Sequence, residues 1–208
     1  MKEITRIEKV YDFNELSESA KDNAKCRYLE NFREPYIFTE ICEEQLREIF
    51  PKSNLNVQYS LSYCQGDGLN VYGIFALSDI ISFIKNRYQH YNEKFTKKEK
   101  RFIDFLEKQN CISIKTNENN HYCYYTDKAE DVRYYIEYEM ENDYFRDIPY
   151  STIQVISEVF DDCFGNYCKG LEEEGYNYFY EVDEEEINDM WEANEYLGWT
   201  EEGEPVYQ

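Results

Sequence analysis

Leu55, Val57, Tyr59, Leu61 and Tyr63 alternate with Asn56, Gln58, Ser60 and Ser62, and after Gln65-Gly66-Asp67-Gly68 the alternation resumes at Leu69, Val71, Gly73 and Phe75. A period of two puts every second side chain on one face of a strand, so both runs read as strands with one apolar face. Two glycines around an aspartate supply the positive φ of a tight turn, which makes the pair an antiparallel hairpin. The same four residues lack the strand-to-helix context of a phosphate loop and the spaced oxygen ligands of a calcium loop.

Helical periodicity surrounds this hairpin. Leu16, Ala20, Ala24 and Tyr28 recur every fourth position, and Pro35 suits the first turn of a second helix running to Phe50 with Ile37, Ile41 and Ile49 inward. Helices are expected over 78–91 and 96–109, the second opened by the capping box Thr96-Lys97-Lys98-Glu99. A second hairpin is expected from 111–116 and 121–126, then a helix from the box Asp127/Glu130 to Asn142. The longest helix should start near Ser151 with Ile153, Ile156, Phe160, Phe164, Tyr167 and Leu171 on one stripe and stop at Gly175. Residues 3–11 and the alternating Tyr176, Tyr178, Tyr180 and Val182 read as strands, 183–196 as a last helix, and 199–207 as a terminal hairpin around Glu202-Gly203. Short antiparallel strands mixed with helices, without βαβ regularity, define an α+β class.

Charge divides the chain differently. Of 22 basic and 44 acidic residues, 17 and 18 precede the end of Lys108, leaving 5 against 26 after it; from Gly170 onward there are 14 acids and no Lys or Arg. The expectation is a neutral α+β scaffold at 1–108 and a strongly acidic α+β half at 109–208. A surface of this sign excludes nucleic-acid binding through clustered Lys and Arg. No apolar run reaches the length of a membrane span and MKEITRIEKVYDF has no signal-peptide core, so a cytoplasmic protein is expected. The seven cysteines are odd in number and lack any Cys-x-x-Cys pair, and the reading is reduced, mostly buried thiols.

Catalytic signals are thin. His121 and Cys123 with Cys111 fall short of a four-ligand zinc pattern, and His90 sits among lysines. Asp183-Glu184-Glu185-Glu186 reads as acid complementing a helix start rather than a metal site. No catalytic residue, metal or other cofactor is assigned. Three acidic helix faces stand out instead: Asp131, Tyr134, Tyr138 and Glu141 opposite Ala129, Val132, Ile136 and Met140; Glu158, Asp162 and Glu173, with Asp161 and Glu172 at the edges, opposite the long apolar stripe; and Glu185, Asp189 and Glu192 opposite Ile187 and Trp191. Solvated faces ordinarily mix signs to gain i,i+4 pairs of about 0.2–0.5 kcal/mol each, and these forgo nearly all of them. Carboxylates at this density suit a basic groove, with tyrosines as hydrogen-bonding aromatic anchors.

Tyr11-Asp12-Phe13-Asn14-Glu15-Leu16-Ser17 with Ala20-Lys21 and Ala24, and Tyr59 through Gly68, resemble a group of acidic, Tyr-rich phage and prophage proteins, some labelled antitoxins of toxin–antitoxin systems. The match covers about a third of the chain, omits the acidic half, and carries no catalytic residues. It implies a phage setting in a host cell, where small acidic proteins look like anti-CRISPR or antirestriction inhibitors. The expectation is a nucleic-acid mimic that occupies the basic groove of a CRISPR effector, restriction enzyme or similar host defence nuclease, contacting neither nucleic acid nor membrane. The alternatives are an antitoxin neutralising a basic toxin and, third, a carboxylate–metal enzyme.

Overall fold

The computed structural model describes residues 9–108, 112–119, 122–140, 150–193 and 197–206. Its elements in order are a 3₁₀ turn (Phe13–Glu15), α1 (Glu18–Phe32), α2 (Pro35–Ile49), β1 (Asn54–Ser60), β2 (Gly68–Ala76), α3 (Leu77–Arg87), α4 (Tyr91–Lys94), α5 (Lys97–Glu107), β3 (Ser113–Thr116), α6 (Ala129–Met140), α7 (Tyr150–Tyr180), α8 (Glu184–Ala193), β4 (Gly198–Trp199) and β5 (Pro205–Val206). The fold is α+β, and it consists of two compact units: 1–38 with 175–208, and 39–174. The charge boundary at Lys108 falls inside the second unit.

In the second unit β2 is the centre of a three-stranded antiparallel sheet, β1-β2-β3. Asn54 pairs with Ile74 and Ser60 with Gly68, the register the sequence alternation demands. Gly66 has φ +93°, and a Cβ there would lie 2.1 Å from the Tyr122 ring, so the turn admits only glycine on two counts. Asp67 organises the turn: Oδ1 accepts from Ser60 Oγ at 2.7 Å, and Oδ2 accepts from the N–H groups of Ser62 and Cys64, each at 2.7 Å. The Ser60 hydroxyl and then the Cys64 amide hold this carboxyl below its ordinary range.

Leu69, Val71 and Phe75 are fully buried, as are Ile80 and Ile81 of α3 and Phe160 and Phe164 of α7. Phe75 meets Phe164 edge-on at 5.3 Å between ring centroids, and Phe160 stacks on Phe164 at 5.2 Å. Such pairs add about 0.5–1.5 kcal/mol each to area burial. The buried Asp79 carboxylate of α3 accepts from the Lys52 amide at 2.8 Å and Ser53 Oγ at 2.7 Å, so its burial is compensated by donors. Thr96 and Glu99 form the expected capping box on α5.

In the first unit α1 buries Ala20, Ala24 and Tyr28 against Phe13, Leu16, Ile187 and Trp199, the every-fourth stripe read from the sequence. The 198–206 hairpin forms, with Gly203 at φ +81° and only 2.0 Å between a would-be Cβ and the Ala20 carbonyl oxygen. Tyr11 contributes one bridge to Trp199; residues 3–8 of the expected first strand lie outside the described residues.

Several sequence expectations are corrected. α2 has the expected extent but buries Phe38, Cys42 and Leu46, while Ile41 is 39% exposed. β3 pairs with β2, Phe75 opposite Ile114, and 122–126 forms no strand. The expected 78–91 helix is broken after Arg87, and α4 resumes at Tyr91. α7 runs through Gly175 to Tyr180, so Tyr176, Tyr178 and Tyr180 are helical. Among the six described cysteines only Cys42 and Cys168 are buried; Cys26 and Cys64 are exposed. Cys111, His121, Glu141 and 194–196 lie outside the described residues.

Candidate functional site

α7 carries Glu158, Asp162 and Glu173 exposed and Glu172 half-buried, opposite the buried Ile153, Ile156, Phe160 and Phe164. Among the described residues none of these four forms an ion pair; Glu158 accepts only from its neighbour Gln154, at 2.9 Å. Lys169, also exposed, lies four positions before Glu173 and seven after Asp162, so one cation interrupts the face. On α6, Val132 and Ile136 are buried, and Tyr134 and Tyr138 stand out at 63% and 58% exposure with their rings stacked at 6.3 Å. Asp131 beside them is half-buried, and burial raises its pKa.

Asp161 has a different place. Its Oδ1 accepts from Tyr125 Oη at 2.5 Å and from the Lys128 amide at 2.6 Å, so it ties the loop before α6 to α7. Burial raises its pKa, with those two donors opposing. Lys128 itself is 2% exposed; its Nζ donates to Thr126 Oγ1 at 2.7 Å and Asn70 Oδ1 at 3.1 Å and lies 5.5 Å from the Tyr125 ring centroid. Burial lowers its pKa. A desolvated amine is chemically a nucleophile or base, but one closed to solvent and hydrogen-bonded to two neutral oxygens acts as a structural pin. Sequence reading passed over this cluster, since Lys128 carries no mark of burial in a run of polar residues.

The first unit uses its acids differently. Arg33 binds Glu186 and lies over the rings of Tyr28 and Tyr178, Arg27 reaches Glu204 at 3.3 Å, and Lys21 reaches Glu184 at 3.8 Å. Glu186 also accepts from Tyr28 Oη at 2.9 Å. Asp183 caps α8, accepting from the Glu186 amide at 2.7 Å, which is the helix-start role expected of that acidic run. Glu185 and Asp189 are exposed, and the Glu192 side chain is outside the described set. The twelve sequence-selected positions are thus divided between the units: Asp131 to Glu173 in the second, Glu185 to Glu192 in the first.

One exposed feature escaped the sequence reading, and the lysines noted around His90 form another. Tyr122 and Tyr124 stack at 5.7 Å beside the Gly66–Gly68 turn, with Cys123 donating to the Gly66 carbonyl at 3.1 Å. Lys94, Lys97, Lys98 and Arg101 are exposed around the start of α5, a local basic patch on an acidic protein. Among the described residues no three His, Cys, Asp or Glu side chains converge as metal ligands, and no helix is long and apolar enough to cross a membrane. Comparison with protein-family models, curated proteins and solved structures finds no match.

Proposed function

We propose that the protein is a stoichiometric inhibitor of a host defence nuclease of the CRISPR-effector or restriction class, presenting carboxylates to its basic nucleic-acid groove. The observation that carries this reading is the α7 face, where Glu158, Asp162, Glu172 and Glu173 have no cationic partner among the described residues. From Asp127 to Glu174 the chain has 14 acids and 4 basic residues, and one of those four, Lys128, is buried. Four carboxylates over about 22 Å of helix axis are one per about 5.5 Å, thinner than the one per about 3.4 Å of a nucleic-acid strand. The neighbouring Asp127, Glu130 and Asp131 of the α6 segment add charge of the same sign, and Tyr134 and Tyr138 supply exposed aromatic anchors. In the first unit Glu184, Glu186 and Glu204 are partly neutralised by Lys21, Arg33 and Arg27.

The test is charge reversal to Lys at Glu158, Asp162 and Glu173 together, against the same reversal at the exposed Glu40, Glu44 and Glu48 of α2. The immobilised protein should retain a basic nuclease from a bacterial lysate, released by high salt, and inhibition of that nuclease should titrate at a fixed molar ratio. The first triple should weaken it at least several-fold, and the second should leave it nearly unchanged. Equal loss from both sets, with circular dichroism unaltered, would overturn the assignment of α7 as the interface.

A further inference from the structure

The first unit contains a cavity of about 180 Å³ that takes no part in the acidic surface. Its walls include Tyr28 and Phe32 of α1, Trp191 of α8 and Trp199 of β4, with Arg27 and Asn31 also lining it. The aromatic walls come as two parallel pairs: Trp191 on Trp199 at 3.9 Å and 16°, and Tyr28 on Phe32 at 5.3 Å and 30°. Each wall is anchored. Tyr28 is held through its hydroxyl by Glu186, and Trp199 by reciprocal backbone hydrogen bonds with Tyr11 at 2.9 and 3.0 Å.

We propose that this cavity binds a small, neutral, planar aromatic molecule whose carbonyl edge faces Arg27. The volume exceeds only slightly the roughly 150 Å³ known to hold one benzene, so it suits a single ring with one small substituent. Flat walls of tryptophan, tyrosine and phenylalanine favour a flat ring, because stacked aromatic faces add to simple area burial. Arg27 is the donor, since its exposed pairs with Glu204 at 3.3 Å and Glu30 at 3.8 Å are of the weak surface kind and leave the fork's other N–H groups free to rearrange. Charge decides against a carboxylate ligand: 1–38 with 175–208 holds 7 basic and 19 acidic residues, which repel an anion. It decides against a cation locally, because a guanidinium already lines the space.

The chain has two tryptophans and both line this cavity, so tryptophan emission, excited on the red edge where the 22 tyrosines do not absorb, reports on it. Benzamide, benzoate and cyclohexanecarboxamide are the probes, titrated into the full chain. Benzamide should give a saturable change, cyclohexanecarboxamide should bind at least tenfold more weakly, and benzoate should be weaker than benzamide at low salt with the gap narrowing as salt is added. Arg27→Gln should weaken benzamide several-fold, and Met190→Phe, which puts a rigid ring in the wall and narrows the space, should weaken the response while the circular dichroism spectrum is kept. No saturation with benzamide, an equal response to the non-planar amide, or an unchanged response in folded Met190→Phe would each overturn the proposal.

Discussion

Tyr28 joins packing, hydrogen bonding and charge in one residue. It is 6% exposed, donates to Glu186, and is raised by burial first and by that hydrogen bond second from 10.0 to about 12. Burial likewise raises Cys42 from 9.0 to about 12, and it pushes Tyr125, Tyr167 and Cys168 in the same direction. All five are acids that keep their protons longer in the folded chain than in the unfolded one. Folding stability is then complete below the unfolded pKa values and falls as pH rises from about 9 towards 12, where the unfolded state binds fewer protons. Lys128, lowered by burial, acts in the opposite sense, while burial raises Tyr59, Tyr72, Tyr91, Cys123 and Cys163 in the same sense as the five. The urea midpoint followed by circular dichroism should therefore be level near pH 7–8 and drop steeply above about pH 9. Tyr28→Phe should make the drop shallower. A profile flat to pH 11 would mean that these hydroxyls and thiols are not desolvated as described.

At the scale of elements, Gly165 and Gly170 of α7 have opposite surroundings. A Cβ at Gly165 would lie 3.2 Å from the Tyr125 ring, whereas one at Gly170 would meet nothing within 4 Å. Glycine in a helix interior costs about 1 kcal/mol relative to alanine. Gly170→Ala should thus stabilise the protein by about 0.5–1 kcal/mol, and Gly165→Ala should gain less or destabilise, as chemical denaturation of both variants would show. Equal gains would mean that Tyr125 yields freely and does not set the approach of its loop to α7. The same helix explains where sequence reading succeeded and where it stopped. Its apolar stripe from Ile153 to Leu171 was legible because burial repeats with helical spacing. Its end was not, because Gly175 is an ordinary buried helical residue and the stop signal of glycine depends on a left-handed φ that composition does not reveal. In α2 the stripe Ile37, Ile41 and Ile49 is broken by Gln45, whereas Phe38, Cys42, Leu46 and Phe50 is continuous and is the buried one. The partner of β3 was invisible, since α3, α4 and α5 lie between Phe75 and the Ile114 opposite it and only local alternation can be read from the chain. The Lys128–Asp161 cluster was hidden for the same reason: its members are brought together by tertiary packing.

Across the whole molecule, the fold redistributes the charge. Cut at Lys108 the chain is neutral then acidic, but residues 1–38 with 175–208 hold 7 basic and 19 acidic side chains and residues 39–174 hold 15 and 25. Each unit therefore carries a similar negative excess, −12 and −10. Lys21 and Arg27 of α1 pair with Glu184 and Glu204, and Lys85 of α3 takes both Asp104 and Glu107 of α5 at 2.6 Å. α5 even begins with Lys97 and Lys98 against its macrodipole, relying on the Thr96–Glu99 box. Carboxylates without an ion pair among the described residues include Glu40, Glu44 and Glu48 of α2 as well as Glu158, Asp162, Glu172 and Glu173 of α7, and like charges repel within one unit. Screening shortens that repulsion to about 8 Å at physiological ionic strength. Raising salt from a few millimolar to about 0.15 M should increase the melting temperature of the free protein, by roughly 2–4 °C if one kcal/mol of repulsion is relieved. Over the same range its association with a basic nuclease should weaken, because the attraction is screened by the same ions. Opposite signs in the two measurements are the expected signature of carboxylates kept for a partner at a cost to the fold. A melting temperature that falls with salt would show that pairs such as Lys85 with Asp104 outweigh the repulsion, and would remove the physical ground for reading the α7 face as a binding surface.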